Sequence, residues 1–387
     1  MQKMRFALSV KLKKAPIILG CLLIVLLILS TLFYAKQVAQ GVRDGIDLSL
    51  GIIIPSLFPF MVISNFIMRT KLSRWLFRPI DWLISHIFGV EKSLAGVVIL
   101  SLIGGYPIGP KLIADLRNGG RLTVQQAERL LCFCVNCGPA FLIGTVAVPI
   151  FQSIAIGGVL FVSQLLGSIT VAFLTRKSGS ALSTSDTYPH DDDWSVGFVG
   201  AVNSAAKALF VVCSFIIIFS AFTSILTEVG FVRWIVALVQ SVCPASVATP
   251  LVVGLLEVSR GCSLISPQNG LYAVALAALL TGFGGFCVHL QIKAIVHGTG
   301  IKLKRFYLYR LPYMLVSTIS AFLLTKCMRI ALPVFAIGEK ALVQTHSVSY
   351  ATSIMVVILC FLLLLCSGRS VTIKKREKTD RRNCNGR

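Results

Sequence analysis

Residues 102–112 read LIGGYPIGPKL, and they interrupt an apolar stretch with three glycines, two prolines and a lysine. A second apolar stretch, LLEVSRGCSLI at residues 255–265, is broken by a glycine and two opposite charges. Irregular backbone at membrane depth is tolerated only where it is buried in protein or lines a cavity. Paired breaks at matching places in two halves of a chain therefore indicate the binding site of a transporter.

The composition is that of a polytopic membrane protein. Hydrophobic residues make up 56% of the 387 residues and charged residues only 13%, and the mean hydropathy is +0.84. Several apolar stretches approach the roughly 20 residues that a helix needs to cross a bilayer. The net charge of +22 comes from basic residues in the loops between these stretches, where they set topology, so no nucleic-acid partner is expected.

The apolar segments predict an all-α polytopic membrane protein with about eight transmembrane helices and two re-entrant hairpins. The predicted spans are residues 15–35, 48–68, 124–148, 153–175, 197–226, 271–296, 309–325 and 350–365, the hairpins are residues 94–116 and 248–266, and residues 75–88 and 231–243 are interfacial helices. The third and sixth spans contain breaks of their own, NCGP at 136–139 and TGFGG at 281–285.

The order of these elements repeats. Residues 48–177 and residues 197–333 each contain a span, an interfacial helix, a hairpin, a broken span and another span, and a polar linker at 178–196 separates them. Residues 1–47 hold the first span and a loop, and residues 334–387 hold the last span and a basic tail. The distribution of Lys and Arg places both termini in the cytoplasm and brings the hairpins in from opposite faces. The sequence thus predicts an inverted-topology repeat, which is typical of alternating-access transport rather than of an enzyme.

The residues at the breaks are the candidate solute ligands. Helix N-termini carry free N–H groups and partial positive charge, so half-helices that begin near the membrane midplane favour anions. Glycines let the backbone approach a solute closely, and a charge at membrane depth costs roughly 2.5–3.5 kcal/mol, which marks it as functional. The predicted substrate-binding residues are Gly104, Gly105, Tyr106, Pro107, Gly109, Lys111, Asn136, Gly138, Ser259, Arg260, Gly285, His289 and Gln291.

Four of these side chains also have a structural interpretation. Arg260 follows Glu257 by three residues, and the two charges can neutralise each other on a helix. Lys111 can extend its ammonium group to the cytoplasmic surface. Asn136 can cap a half-helix, and His289 can be an interior histidine with satisfied hydrogen bonds. The sequence leaves both interpretations open for each of the four.

No reactive centre accompanies these residues. Cys132, Cys134 and Cys137 have no histidine nearby in the sequence, and on a helix Cys134 points away from Cys132, so no metal site is predicted. The HDDD run at residues 190–193 is interpreted as a solvated acidic loop. Because the chain has no nucleophile–base pair and no phosphate-binding loop, neither enzyme activity nor a cofactor is expected.

The first-half motif carries a family resemblance. The segments SLFPFMVIS at residues 56–64 and GGYPIGPKLIADLRNGGRLTVQQAERLLCFCVNCGPAFLIGTV at residues 104–146 resemble the sporulation integral membrane protein YlbJ (SpoVV) family. That family carries nucleoside-recognition Gate domains, which it shares with concentrative nucleoside transporters and the ferrous-iron protein FeoB. The similarity runs from about residue 48 to residue 324, and it departs at Pro110 and Cys137, positions that concern solute contacts rather than the fold.

The resemblance implies a multi-pass protein of the mother-cell plasma membrane, the outer forespore membrane, in a spore-forming bacterium. There the family is associated with movement of dipicolinic acid and with spore cortex formation. Transport of a small organic anion, dipicolinate, is therefore the leading hypothesis, with a proton or sodium as the candidate coupling ion and the lipid bilayer as the surrounding partner. A transporter of nucleosides or other small solutes and a non-transporting scaffold of the spore envelope are the alternatives, and the oligomeric state stays open.

Overall fold

The computed structural model describes residues 24–25, 28–70, 72–176 and 194–328, and the regular structure there is entirely helical. In chain order the helices are α1 (Ala35–Arg69), α2 (Leu72–Phe88), α3 (Ala95–Gly104), α4 (Ile108–Asn118), α5 (Val124–Phe133), α6 (Pro139–Phe151), α7 (Ile154–Leu174), α8 (Trp194–Glu228), α9 (Phe231–Gln240), α10 (Ala245–Leu256), α11 (Val258–Ser263), α12 (Leu271–Phe283), α13 (Gly285–Ile295) and α14 (Lys304–Cys327). Most of the predicted first span, most of the linker, and all of the last span and the basic tail lie outside the described residues.

Five helical segments of the described part are long and apolar enough to cross a membrane: α1, α7, α8, α12 continued by α13, and α14. They cover the predicted second, fourth, fifth, sixth and seventh spans. A sixth arises if the bent pair Trp75–Phe88 and Lys92–Gly104, which meet at 105°, counts as one span. The predicted third span consists of two short helices, α5 and α6, and the backbone between them leaves the helical conformation at the predicted NCGP break.

Helix α1 starts earlier than the sequence predicts. The segment that was expected to be an exterior loop forms the helix Ala35–Leu48, and it continues through a π-helical turn, Ser49–Ile53, into Ile54–Arg69. Gly41 and Gly45 explain the difference. A β-carbon at either position would collide with the backbone of α8, so only glycine permits this close approach of the two helices. The prediction of a loop here was wrong because tertiary packing on α8 orders the charged segment.

The amphipathic helices α2 and α9 leave their aromatic side chains exposed. Trp75 and Trp82 on α2 and Trp234 on α9 are between 63% and 77% exposed, whereas Phe77 and Val232 on the opposite faces of these helices are buried. Exposed tryptophan in a strongly apolar protein is typical of the boundary between lipid tails and headgroups. This arrangement agrees with the interfacial position that the sequence predicts for both helices.

The predicted order of elements appears in both halves of the described chain. Helices α1 to α7 give a long helix, an amphipathic helix, a helix pair, a broken helix and a long helix, and α8 to α14 repeat that order. Helix α1 packs against α8 and α7 packs against α14, so corresponding helices of the two halves contact each other. The breaks of both halves therefore come together in the interior of the protein.

Candidate substrate-binding site

A cavity, here called the central cavity, lies where the helix breaks of the two halves meet. Its enclosed volume is about 40 Å³, which holds only a few water molecules, so a larger solute enters only if the walls move apart. Both helix pairs, both broken helices and the long helices α1 and α8 contribute to its wall. The lining residues are Ile53, Ser56, Leu57, Gly105, Tyr106, Pro107, Cys137, Gly138, Phe141, Val212, Ile216, Glu257, Val258, Ser259, Cys287, Val288 and Gln291.

Glycines allow each helix pair to pack directly on the broken helix of its own half. A β-carbon on Gly138 would lie 2.7 Å from the carbonyl oxygen of Ile103, at the end of α3. In the second half, a β-carbon on Gly285 would lie 3.0 Å from the carbonyl oxygen of Gly254, and its φ of +73° already favours glycine. The same packing therefore holds the cavity wall in both halves, and it depends on backbone that carries no side chain.

Two side chains connect the halves beside the cavity. The Tyr106 hydroxyl donates a hydrogen bond of 2.5 Å to the carbonyl oxygen of Thr281 in α12. The guanidinium of Arg310, from α14, donates from Nη1 to the Val135 carbonyl at 2.7 Å and from Nε to the Phe283 carbonyl at 3.1 Å. Those two carbonyls belong to the first and second breaks. Arg310 thus joins the two interrupted helices across the interior.

Six of the thirteen predicted ligands line the central cavity: Gly105, Tyr106, Pro107, Gly138, Ser259 and Gln291. The other seven, which are Gly104, Gly109, Lys111, Asn136, Arg260, Gly285 and His289, lie outside its lining. Gly109 and Gly285 still shape the site. Without a β-carbon, Gly109 lets α4 pack against the Cys134 carbonyl, and Gly285 lets α13 pack against the Gly254 carbonyl. The backbone of the breaks thus lies at the cavity more often than the long side chains near them, and contact of any of these residues with solute stays a prediction.

Lys111 and Asn136 have partners away from the cavity. The Lys111 ammonium donates to the carboxylate of Asp115 at 2.5 Å, one turn along α4. Asn136 donates from Nδ2 to the Phe133 carbonyl at 2.9 Å and accepts from the hydroxyls of Ser168 at 2.6 Å and Tyr313 at 2.9 Å. For Asn136 the structural alternative is the correct one, because it caps the carbonyl end of α5. In this conformation Lys111 forms an ion pair with Asp115 of the same helix and does not line the central cavity.

His289 is likewise an interior histidine that caps a helix end. Its Nε2 lies 3.0 Å from the Phe283 carbonyl, so Nε2 carries the proton, and the ring packs within 4.6 Å of the Phe283 ring centroid. The Phe283 carbonyl therefore accepts from both His289 and Arg310. The prediction that His289 contacts solute is not supported by its position, since its polar nitrogen is used inside the protein.

Glu257 and Arg260 do not neutralise each other through their side chains. The buried Glu257 carboxylate accepts from the backbone N–H groups of Ser259 at 3.0 Å and Arg260 at 2.7 Å, and so caps the first turn of α11. The Arg260 guanidinium reaches the Ser224 hydroxyl at 3.4 Å instead. Glu257 faces the central cavity and Arg260 faces away from it. The proposed helical ion pair is therefore wrong, and the side chains of Glu257 and Arg260 face two different cavities.

Arg310 is the residue that sequence reasoning placed incorrectly. Its charge fits a basic cytoplasmic segment with Lys302 and Lys304, yet its side chain is 2% exposed and stacks at 4.5 Å on the Tyr313 ring. Its Nη2 has no hydrogen-bond partner among the described residues. The available signal was its place inside the apolar helix α14, since a charge within a span is a functional candidate by default.

The chain is similar to the sporulation integral membrane protein YlbJ of Bacillus subtilis (strain 168). The two are 27% identical over 317 residues, which cover 74% of this chain and 77% of that protein. No protein-family model and no solved structure matches the chain. Taken with the five apolar helices of the described residues, the similarity to YlbJ supports an integral, multi-pass membrane protein.

Proposed function

We propose that the protein is a membrane transporter of spore formation that carries a small organic anion through the central cavity. The sporulation setting comes from the similarity to YlbJ, and dipicolinate is the anion that the family resemblance implies. By the same resemblance the protein acts in the mother-cell membrane around the forespore and supports cortex formation. The central cavity is the structural basis of the proposal, because both halves of the chain build it from interrupted helices.

The proposal rests on a difference between the two kinds of helix end around this cavity, the N–H ends and the carbonyl ends. Helices α4, α6 and α13 begin at its wall, near Pro107, Gly138 and Cys287. Each N-terminus presents free N–H groups and roughly half a positive charge. The carbonyl ends at the same breaks already accept hydrogen bonds from Arg310 and His289. An anion in the cavity therefore meets the N-termini of α4, α6 and α13, while the carbonyl ends of α5 and α12 are bonded inside the protein; the N-terminus of α11 at the same wall is already capped by Glu257.

The lining side chains suit a flat, partly apolar solute. Leu57, Phe141 and Val212 offer apolar surface for a ring, and Ser259 and Gln291 offer polar groups for its substituents. Glu257 is the only ionisable carboxylate in the lining, and it would repel a dianion. We therefore propose that a proton or sodium ion accompanies the anion and offsets the charge of Glu257.

An uncharged solute, such as a nucleoside, is the second candidate. The observation in its favour is that no lysine or arginine of the described residues lines the central cavity, whereas Glu257 and Gln291 do. Carboxylate and amide groups are well suited to hydroxyl and amide groups of a neutral ligand. The two candidates differ in net charge, so a comparison of dipicolinate with uridine separates them.

Transport requires that the cavity open to alternate faces of the membrane. Each helix pair packs on its own broken helix, Tyr106 joins the first helix pair to the second broken helix, and Arg310 joins the two broken helices. We propose that these parts move as one body against α1, α7, α8 and α14. Arg310 belongs to α14. During that movement, therefore, either its hydrogen bonds to the broken helices break or α14 moves together with them.

The test is solute flux into proteoliposomes, with dipicolinate and uridine compared in the presence and absence of proton and sodium gradients. The matched variants are Val212→Trp, which fills the central cavity from α8, and Val229→Trp, which adds the same bulk at an exposed position just after α8. We expect gradient-dependent dipicolinate flux in the wild type and in Val229→Trp, and flux near background in Val212→Trp.

Other flux results would favour a different function or a different site. Uridine flux without dipicolinate flux establishes the neutral-solute alternative. Absence of both fluxes from correctly folded protein favours the scaffold in spore-envelope assembly. Equal dipicolinate flux in the wild type and in folded Val212→Trp protein shows that the solute does not pass through the central cavity, and the proposed site is then wrong.

A further inference from the structure

A second cavity lies on the other side of the α11 turn, and it is here called the arginine cavity. Its empty volume is about 870 Å³, it is more open than the central cavity, and helices α8, α9, α10 and α11 form its wall. The lining residues are Thr223, Thr227, Val232, Arg233, Val236, Ala237, Gln240, Thr249, Val253, Arg260 and Leu264. None of these residues lines the central cavity.

The charge of this lining has a single sign. Arg233 and Arg260 are its charged residues, and neither carboxylate side chain of the neighbouring elements, Glu228 or Glu257, belongs to the lining. Thr223 adds a second, independent feature, because its side chain is 1% exposed and its hydroxyl has no hydrogen-bond partner among the described residues. The oxygen itself is shielded from the cavity, so it contacts a ligand there only if the wall shifts.

The short helix α11 and its flanking residues lie between the two cavities and contribute side chains to both. Glu257 and Ser259 face the central cavity, and Arg260 and Leu264 face the arginine cavity. The Arg260 backbone N–H is bound to the Glu257 carboxylate at 2.7 Å. A ligand that holds the Arg260 side chain therefore acts on the same short segment that forms the wall of the central cavity.

We infer that the arginine cavity is an outer anion subsite, where Arg233 and Arg260 bind carboxylate or phosphate oxygens before the α11 turn admits the solute to the central cavity. The inference rests on the proposed function, because it assigns this subsite to the carried anion. Arginine suits the role, since its planar fork binds two oxygens of a carboxylate or phosphate at once. A lipid phosphate group offers the same chemistry, so free solute and headgroup must be separated by experiment.

The experiment measures dipicolinate binding by calorimetry to the full chain in phosphatidylcholine nanodiscs. Val212→Trp protein is used first, because its central cavity is filled and the arginine cavity is untouched. We expect this protein to retain one dipicolinate site, and Arg233→Gln and Arg260→Gln each to weaken that site by about tenfold, the loss expected for one charged hydrogen bond. Arg78→Gln is the matched control, because Arg78 is an exposed arginine on α2, the counterpart of α9 in the first half. We expect it to bind like the parent.

Unchanged dipicolinate affinity in Arg233→Gln and Arg260→Gln overturns the inference, as does loss of all binding in folded Val212→Trp protein. Nanodiscs with added phosphatidylglycerol form the second arm. If this lipid removes dipicolinate binding from the parent protein, the cavity is a headgroup site and the solute assignment is wrong. The readout is binding and not flux, so a wild type that binds dipicolinate here without transporting it contradicts the proposed function alone. A transporting protein whose half-saturating concentration is unchanged by Arg233→Gln contradicts the subsite alone.

Discussion

The shared carbonyl of Phe283 allows a quantitative test of how the helix breaks are stabilised. Arg310→Met removes two charged hydrogen bonds, each contributing about 1.5–3 kcal/mol, but it also removes a buried charge whose desolvation is costly. Only the Val135 carbonyl then loses its donor, because the Phe283 carbonyl keeps His289 at 3.0 Å. We expect a net loss of about 2–4 kcal/mol, which corresponds to a decrease in melting temperature on the order of 5–10 °C.

His289→Phe should lower the free energy of unfolding by less than Arg310→Met does. It keeps the ring packing against Phe283 and leaves the Phe283 carbonyl with the Nε donor of Arg310 at 3.1 Å, so we expect a loss of about 1 kcal/mol or less. In the double variant the Phe283 carbonyl has neither donor. Its loss should exceed the sum of the single losses by about 1–3 kcal/mol, the cost of an unsatisfied buried carbonyl.

The assay is thermal unfolding of purified protein in one detergent, followed by the loss of the monodisperse chromatographic peak. Lys304→Met is the control for removal of a basic residue from the same helix, because Lys304 is exposed at the start of α14, and it should melt like the wild type. Additive losses in the double variant would show that the two donors do not share the Phe283 carbonyl. A melting temperature of Arg310→Met at or above that of the wild type would show that desolvation of the guanidinium outweighs its hydrogen bonds.

Three further predictions follow from single positions. Gly109→Ala should abolish folding, measured as the yield of monodisperse protein, because its β-carbon would clash with a backbone carbonyl of the first break, whereas Gly158→Ala on α7, with open space around it, should be tolerated. Glu257→Ala should lose about 1–2 kcal/mol through the missing cap of α11, and Glu257→Gln, which retains one acceptor oxygen, should lose less in the same melting assay; equal losses would exclude the cap as the cause. Cysteines at Lys92 and Asn118, in a protein without native cysteines, should react with an impermeant reagent from the same membrane face if α3 and α4 form a re-entrant hairpin; labelling from opposite faces would make the pair a full span.

The sequence alone determined where the helices break and which stretches form long apolar helices, whereas the start of α1 depended on tertiary packing. Gly105, with φ of +87°, and Gly284, with φ of +86°, occupy conformations that other residues rarely adopt, so their glycines mark the breaks directly. The hydrophobic stretches likewise identify the long helices, since a helix in lipid satisfies its own backbone groups and needs only apolar side chains. Both signals are local, because they depend on the conformation and hydropathy of neighbouring residues, and for that reason they can be read without a fold.

Only the tertiary structure decided which polar side chains face solute and which serve the protein. Lys111, Asn136, His289 and Arg310 all lie near breaks, yet each finds an internal acceptor: a carboxylate one turn away for Lys111, and main-chain carbonyls for the others. Arg310 reaches a carbonyl 175 residues earlier in the chain, a distance across which sequence pattern carries no geometric information. The buried acceptors of Arg310 are therefore fixed only when the helices of both halves have packed, whereas the acceptors of Lys111, Asn136 and His289 lie within six residues along the chain.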